Sequence, residues 1–155
     1  MSLNALSCAS AINSANDSAI STWPSSSFAA DFANAYKTYT QGGDVVGTAS
    51  GSENASILQS FLSTGDFVTD ADFGQALADY WSTCKLIPSG GSVSASNDAS
   101  SKVGAFTAAV TASYSTTEST PYYLNFITNI ETVAKTIIWT VVYPNPTPPS
   151  FETIS

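Results

Sequence analysis

Residues 120–143 read TPYYLNFITNIETVAKTIIWTVVY and form the most apolar stretch of the chain. Apolar residues recur at steps of three and four, the spacing of one buried helical face. They are Leu124, Ile127, Ile130, Ala134, Ile137 or Ile138, and Val141. Thr120 is suited to cap a helix, Pro121 suits the first turn, and Pro144 would end it. The pattern predicts a central helix over residues 120–143.

The second part of this stretch has an alternative. Residues 136–143, TIIWTVVY, are rich in the β-branched and aromatic side chains that suit a strand. The upstream periodicity and the length of the run favour a helix. A membrane span is not expected, because Asn125, Asn129, Glu131 and Lys135 lie inside the run and polar groups are costly in lipid.

Composition fits one ordinary domain. The chain has 155 residues, of which 43% are hydrophobic and only 10% charged, whereas typical domains have about 25% charged residues. It contains 26 Ser and 18 Thr, so hydroxyl groups must supply much of the surface polarity.

The few charges are mostly negative. Four Lys, no Arg and no His stand against twelve acids, which gives a net charge of −8. Four scattered lysines make no cationic patch, so neither nucleic acid nor an anionic membrane surface is an expected partner. The absence of histidine removes Ser-His and Cys-His nucleophiles and every zinc site that uses imidazole. We therefore predict no enzyme activity, no cofactor and no metal.

Helical spacing also predicts the rest of the body. Helices are expected at about residues 3–15, 27–40 and 53–63, then from Thr69 to a stop at Pro88, and from Asn97–Asp98 onward with Val103, Phe106, Val110 and Tyr114 facing inward. Residues 42–51 are expected to be a flexible loop. Residues 1–143 thus form an all-α bundle of about six helices.

Three patterns could carry chemistry, and each has a simpler explanation. Ser82 and Lys85 have S-x-x-K spacing, but the companion motifs of that serine chemistry are missing. Asp66, Asp70 and Asp72 lie close in sequence, as calcium ligands do, yet helix capping by Thr69 and these aspartates explains them better. Cys8 and Cys84 could form one disulfide, but two buried thiols are favoured.

The C-terminal residues 144–155 are too rich in proline for a helix or an inner strand. We predict an extended arm that leaves the helical body and lies on a neighbouring subunit, with Phe151 in an apolar pocket. The predicted partner-binding residues are Pro146, Pro148, Pro149, Phe151 and Ile154.

Three segments carry a resemblance. They are FGQALADYWSTC (73–84), NDASSKVGAFTAAVTAS (97–113) and KTIIWTVVYPNP (135–146). Helical chains of this kind, rich in Ser, Thr and Ala, poor in Arg and ending in such a tail, resemble small structural proteins of the virions of tailed phages or icosahedral DNA viruses. The resemblance implies a minor capsid, cement or tail-associated role in a large assembly, with other virion proteins or copies of the chain as partners and the virion as location. It assigns no site residues.

Two other functions remain open. One is a small helical binding module or inhibitor that acts on a host protein or surface glycan through Ser/Thr-rich loops. The other is a small enzyme that uses carboxylates, which would need a deep pocket holding an acid with a raised pKa. The leading interpretation is a non-enzymatic virion structural protein.

Overall fold

Helices dominate the computed structural model, which describes residues 3–22, 27–42, 44–45, 47–50, 54–63, 69–87, 96–114, 119–141 and 148–153. The helices are α1 Ala5–Thr22, α2 Phe28–Gln41, α3 Ala55–Ser63, α4 Asp70–Thr83, α5 Val103–Thr111 and α6 Thr120–Ala134, and a 3₁₀ turn at Ala99–Lys102 precedes α5. The strands are β1 Asp44–Val45, β2 Gly47–Ser50, β3 Lys85–Ile87, β4 Ser96–Asn97, β5 Trp139–Val141 and β6 Ser150–Glu152. The predicted all-α class is confirmed, with two small sheets beside the bundle.

Helix α4 begins as its sequence predicts. The hydroxyl of Thr69 accepts from the backbone N–H of Asp72, and the Asp72 carboxylate accepts from the N–H of Thr69 at 3.0 Å. This reciprocal pair satisfies two helix-terminal donors. The helix ends at Thr83, before Pro88, because residues 85–87 pair with β2 instead. The stop predicted at Pro88 is therefore too late.

The central segment is a helix followed by a strand. The N-cap of helix α6 is Ser119, one residue earlier than the predicted Thr120, and Thr120 is the first helical residue. The helix ends at Ala134, and residues 139–141 form β5. The prediction of helix is wrong for residues 135–141, and the strand alternative is right for Trp139–Val141. Residues 142–143 of the predicted helix lie outside the described residues. Strands β4 and β6 lie on either side of β5, and these distant pairings stabilise the extended form.

Three further sequence expectations need correction. Helix α1 extends to Thr22, well past residue 15. The expected loop at residues 42–51 contains strands β1 and β2, which pair with each other. Tyr114 is 67% exposed and does not face inward. Helix α5 has ended before Tyr114. The hydroxyl of Tyr114 donates to the Asp70 carboxylate at the surface. Phe106 and Val110 are buried as predicted.

Each sheet is antiparallel and joins segments that are distant in sequence. The first has the order β1-β2-β3 and connects the hairpin to the chain that follows α4. The second, called here the C-terminal sheet, has the order β4-β5-β6. In it Thr140 of β5 lies opposite Ser96 of β4 and Phe151 of β6. The β5 strand is thus the centre of this sheet.

The tail does not leave the body at Ser150–Glu152. These residues form β6 and pair with β5 of the same chain, so the predicted departure of residues 144–155 onto a neighbour is wrong here. Prolines 148 and 149 come just before the strand, where missing N–H groups cost no ladder hydrogen bond. The proline content of the tail was expected to disfavour a strand. The strand nevertheless forms, because its three residues, Ser150–Glu152, follow the prolines and have their own N–H groups.

The core lies between the helices and is rich in aromatic rings. The largest fully buried side chains are Trp81, Trp139, Tyr36, Tyr80, Phe106, Ile12, Leu58, Leu77, Ile127, Ile130 and Ile137. Trp81 has ring contacts with Tyr36, Tyr80 and Trp139, with centroids 6.1 to 6.4 Å apart. Trp139 belongs to β5, so this cluster connects the C-terminal sheet to the bundle.

Candidate interaction surface

The C-terminal sheet has one buried and one exposed face. Along β5 the side chains alternate: Trp139 and Val141 are fully buried, whereas Thr140 is half-buried. Alternation is the geometry of a strand, in which successive side chains point to opposite faces. The face that carries Thr140 is called here the outer face of the sheet.

Two large apolar side chains lie on the outer face. Phe151 is opposite Thr140 and is 76% exposed, and Ile138, two residues before Thr140, is 42% exposed. Residues diagonal to each other on neighbouring strands are within reach of long or aromatic side chains. The outer face therefore presents two exposed apolar side chains, and one of them is a large aromatic ring.

The outer face is held in place by polar contacts at one end of β5. The backbone N–H of Ile138 donates to the Asp98 carboxylate at 2.8 Å, and the N–H of Asp98 donates to the Ile138 carbonyl at 3.2 Å. Lys102 forms an ion pair with the same carboxylate at 3.3 Å. Asn97 donates from its amide to the carbonyls of Trp81 and Cys84. These bonds connect β4 with α4 and β5, and β5 in turn pairs with β6, the strand that carries Phe151.

The predicted partner-binding residues have mixed outcomes. Phe151 is displayed at the surface, and Pro148 and Pro149 are exposed just before β6. Pro146 and Ile154 lie outside the described residues. The partner contacts themselves remain predictions.

The aspartates considered as calcium ligands have other partners. Asp72 takes part in the capping box, as predicted, and the Thr69 hydroxyl and N–H bonds lower its pKa. Asp70 accepts from Thr111 at 2.6 Å and from Tyr114, and these two bonds lower the pKa of its carboxyl. Asp66 is outside the described residues. Within the described ranges, no group of three or more His, Cys, Asp or Glu side chains is placed to hold a metal ion.

In the described part of the chain, no contact between Ser82 and Lys85 arranges this S-x-x-K pair for nucleophilic chemistry. The Ser82 hydroxyl donates to the backbone carbonyl of Asp79 at 2.6 Å, as hydroxyls in helices commonly do. Lys85 is exposed in β3, beyond the end of the helix that carries Ser82. Because Lys85 is in a strand, it is not one helical turn from Ser82, as that chemistry requires.

A second surface feature lies near the opposite end of α6. A partly open cavity of about 150 Å³, called here the aromatic cavity, is formed where α2, α3, α4 and α6 meet. Its lining residues are Phe28, Phe32, Leu62, Phe73, Tyr122, Tyr123 and Phe126. Several of the rings contact each other, including Phe73 with Phe126 at 5.5 Å and Phe28 with Phe32 at 6.0 Å.

Sequence reasoning missed the aromatic cavity. Each of its aromatic residues fits the apolar face of its own helix, and nothing in a single helix shows that four helix faces leave a gap where they converge. One signal was present: Phe28 and Phe73 lie in the first turns of α2 and α4, as Tyr122 and Tyr123 do in α6. Clustering of aromatic residues at helix starts therefore marks one end of this bundle.

Comparisons with protein families, characterised proteins and solved structures find no match for this chain. In the part of the chain that the structure describes, no helix has both the length and the apolar character needed to cross a membrane. Function must therefore be inferred from the two surface features.

Proposed function

We propose that this chain is a non-enzymatic structural protein of a virion, which helps to assemble or stabilise a capsid or tail through protein–protein contacts. The observation that carries the proposal is Phe151, which is 76% exposed on a strand that is paired on its inner side. Holding a large aromatic side chain in water has a cost of about 1.5–3 kcal/mol relative to burial. A partner that covers Phe151 recovers this free energy.

The position of Phe151 suits a binding anchor. Its strand pairs with β5, whose neighbouring residues Trp139 and Val141 are fully buried. The backbone beneath the ring is therefore ordered before binding, and little conformational entropy remains to be lost when a partner docks. Aromatic residues that are buried on binding dominate the energetics of many interfaces.

The low charge of the chain also supports an assembly role. Only 10% of residues are charged, and charged residues are depleted at the centres of protein interfaces. Ser and Thr side chains are short and lose less entropy than Lys or Glu when they are covered. A chain of this composition is suited to a surface that is largely enclosed in an assembly.

The test is co-purification with particles. Nuclease-resistant particles are purified on a density gradient from cells that produce the epitope-tagged chain. We expect the wild-type chain in the particle fractions and binding of Phe151→Ser weaker by about 5- to 150-fold, because a buried aromatic anchor contributes about 1–3 kcal/mol. Thermal unfolding of the purified Phe151→Ser chain should match the wild type, since the side chain is mostly exposed.

A matched control is Leu6→Ser. Leu6 is 56% exposed on α1, so this variant also replaces an exposed apolar residue by serine. It should co-purify like the wild type. Absence of the wild-type chain from all particle fractions would show that the virion role is wrong, and equal losses in both variants would show that Phe151 has no special part in it.

A further inference from the structure

The aromatic cavity has the size and chemistry to hold one aromatic ring. Its volume of about 150 Å³ is comparable with that of an apolar cavity that accommodates benzene. Among the described residues that line it, none is charged. Rings that meet in tilted or edge-to-face geometry at centroid distances of about 4.5–7 Å attract each other beyond simple burial. The expected occupant is an uncharged aromatic group.

The same chain displays such a group at its other end. Phe151 exposes 76% of its side chain. The cavity is lined by Tyr122, Tyr123 and Phe126 from the start of α6, whereas Phe151 pairs with β5, which follows the end of α6. Helix α6 has 15 residues, a length of about 22 Å at 1.5 Å per residue. Phe151 therefore does not occupy the cavity of its own chain.

We propose that the aromatic cavity receives Phe151 of a second copy of this chain, so that copies associate head to tail. This inference rests on the proposed function, and it names the partner of Phe151. The two contacting surfaces are different patches of one molecule, which makes the contact heterologous. Such contacts close into rings or continue as open filaments, according to the rotation between neighbours.

The negative net charge of the chain determines how salt affects this contact. The first turns of α2 and α4 carry cavity residues and also Asp31, Asp70 and Asp72. The chain has a net charge of −8, so two copies repel each other as they approach. The apolar contact therefore forms against like-charge repulsion, which salt screens. Association should become stronger as the salt concentration rises from low to physiological values.

Sedimentation velocity of purified full-length chains tests the proposal. The inserted side chain, Phe151, is called here the knob, and the knob variant is Phe151→Ser. The first cavity variant is Phe28→Glu. Its added carboxylate lies in the first turn of α2, where the helix dipole tolerates a negative charge. Leu62→Trp is a second cavity variant that fills the space without adding charge. Leu6→Glu is the control, with the same change of charge as Phe28→Glu at an exposed site on α1. Circular dichroism confirms that each variant is folded.

The proposal predicts a specific pattern. Wild type and Leu6→Glu should form larger species as concentration rises, and each knob or cavity variant alone should associate about 10- to 100-fold more weakly. An equimolar mixture of Phe151→Ser with Phe28→Glu or with Leu62→Trp should form a dimer, because one chain retains the cavity and the other the knob. The mixture should stop at the dimer.

Other results would overturn the proposal. If both cavity variants associate like the wild type while Phe151→Ser stays monomeric, Phe151 binds elsewhere; the head-to-tail contact is then wrong, and the proposed function stands. If the wild type remains monomeric at every concentration and salt level, the second copy is not the occupant, and only the particle experiment bears on function. If Phe151→Ser associates like the wild type, Phe151 is not the knob.

Discussion

Trp81 donates its indole N–H to the hydroxyl of Tyr36 at 2.9 Å, in the fully buried interior between α4 and α2. Burial raises the pKa of Tyr36 well above its ordinary value, so the hydroxyl remains protonated. Tyr36→Phe leaves the indole N–H without its acceptor and should lower the free energy of unfolding by about 1–3 kcal/mol, the cost of an unsatisfied buried donor. Chemical denaturation measures this loss.

A double-mutant cycle with Trp81→Phe is the control for this bond. The Trp81 variant removes the donor but also leaves a cavity, which costs stability by itself. If the bond matters, the double variant should be less destabilised than the sum of the two single variants by about 0.5–2 kcal/mol. Additive losses would mean that the two residues act only through packing.

Gly74 allows α4 and α5 to approach each other closely. A Cβ at this position would lie 2.7 Å from the backbone nitrogen of Thr107, closer than side chains tolerate. Gly74→Ala should therefore force the helices apart and destabilise the chain by about 1–3 kcal/mol. Gly104, in α5, is the matched control because a Cβ there meets nothing within 4 Å. Gly104→Ala should stabilise by about 0.5–1 kcal/mol through helix propensity, as measured by thermal melting.

The carboxylates of Asp70 and Asp72 should make the fold sensitive to acid. Hydrogen bonds from Thr111 and Tyr114 lower the pKa of Asp70, and bonds from Thr69 lower that of Asp72, below the ordinary value of 3.8. The folded state therefore favours the charged form. This contribution is fully present well above pH 4 and is lost as the pH falls through the lowered values in the folded state. Stability measured between pH 7 and pH 2 should fall in this acid range.

Removing the Tyr114 hydroxyl distinguishes the pKa of Asp70 from that of Asp72. In Tyr114→Phe the pKa of Asp70 should rise toward its ordinary value, while that of Asp72 stays lowered, because Tyr114 donates only to Asp70 of the pair. Carbon-detected NMR titration of the side-chain carboxyls reports both values in one sample. An unchanged Asp70 pKa would mean that the Tyr114 bond does not persist in solution.

Both cysteines are expected to resist alkylation in the folded chain. Cys8 and Cys84 are reduced and buried, as the sequence predicted, and burial raises the pKa of the Cys8 thiol to about 12. The thiolate is the reactive form, and very little of it is present at Cys8 at pH 8. Mass spectrometry after iodoacetamide treatment should show no label on the native chain and two labels after unfolding. A mass two daltons lower without label would reveal a disulfide instead.

Local signals in the sequence predicted the elements whose structure depends on nearby residues. The cap at Thr69, the start of α2 at about Ser27, the inner face of α4, and the buried Phe106 and Val110 of α5 all involve residues three or four positions apart. The fold class and the buried thiols follow from the same periodicity.

The sequence failed where distant pairings decide the structure. Residues 139–141 continue a helical pattern, yet partners 40 or more positions away in β4 and others in β6 give them an extended form. The hairpin at residues 44–50 was missed for the same reason, since its second strand pairs with β3. The candidate site was half predicted: Phe151 was named from the tail, but its display on a sheet and the aromatic cavity depend on how separate elements converge.

The packing of the first helix on the last one sets the order of events during synthesis. Helix α1 packs against α6 and α2. During synthesis α1 is therefore made long before α6, the distant helix against which it packs. Such long-range contacts delay completion of a fold until the distant segment has emerged. A nascent chain arrested after residue 114 should thus be digested readily by protease, whereas one released with α6 and β5 should resist it. The bundle can therefore finish folding only after α6 and β5 have been made, and the aromatic cavity and the outer face of the sheet first exist at the same stage.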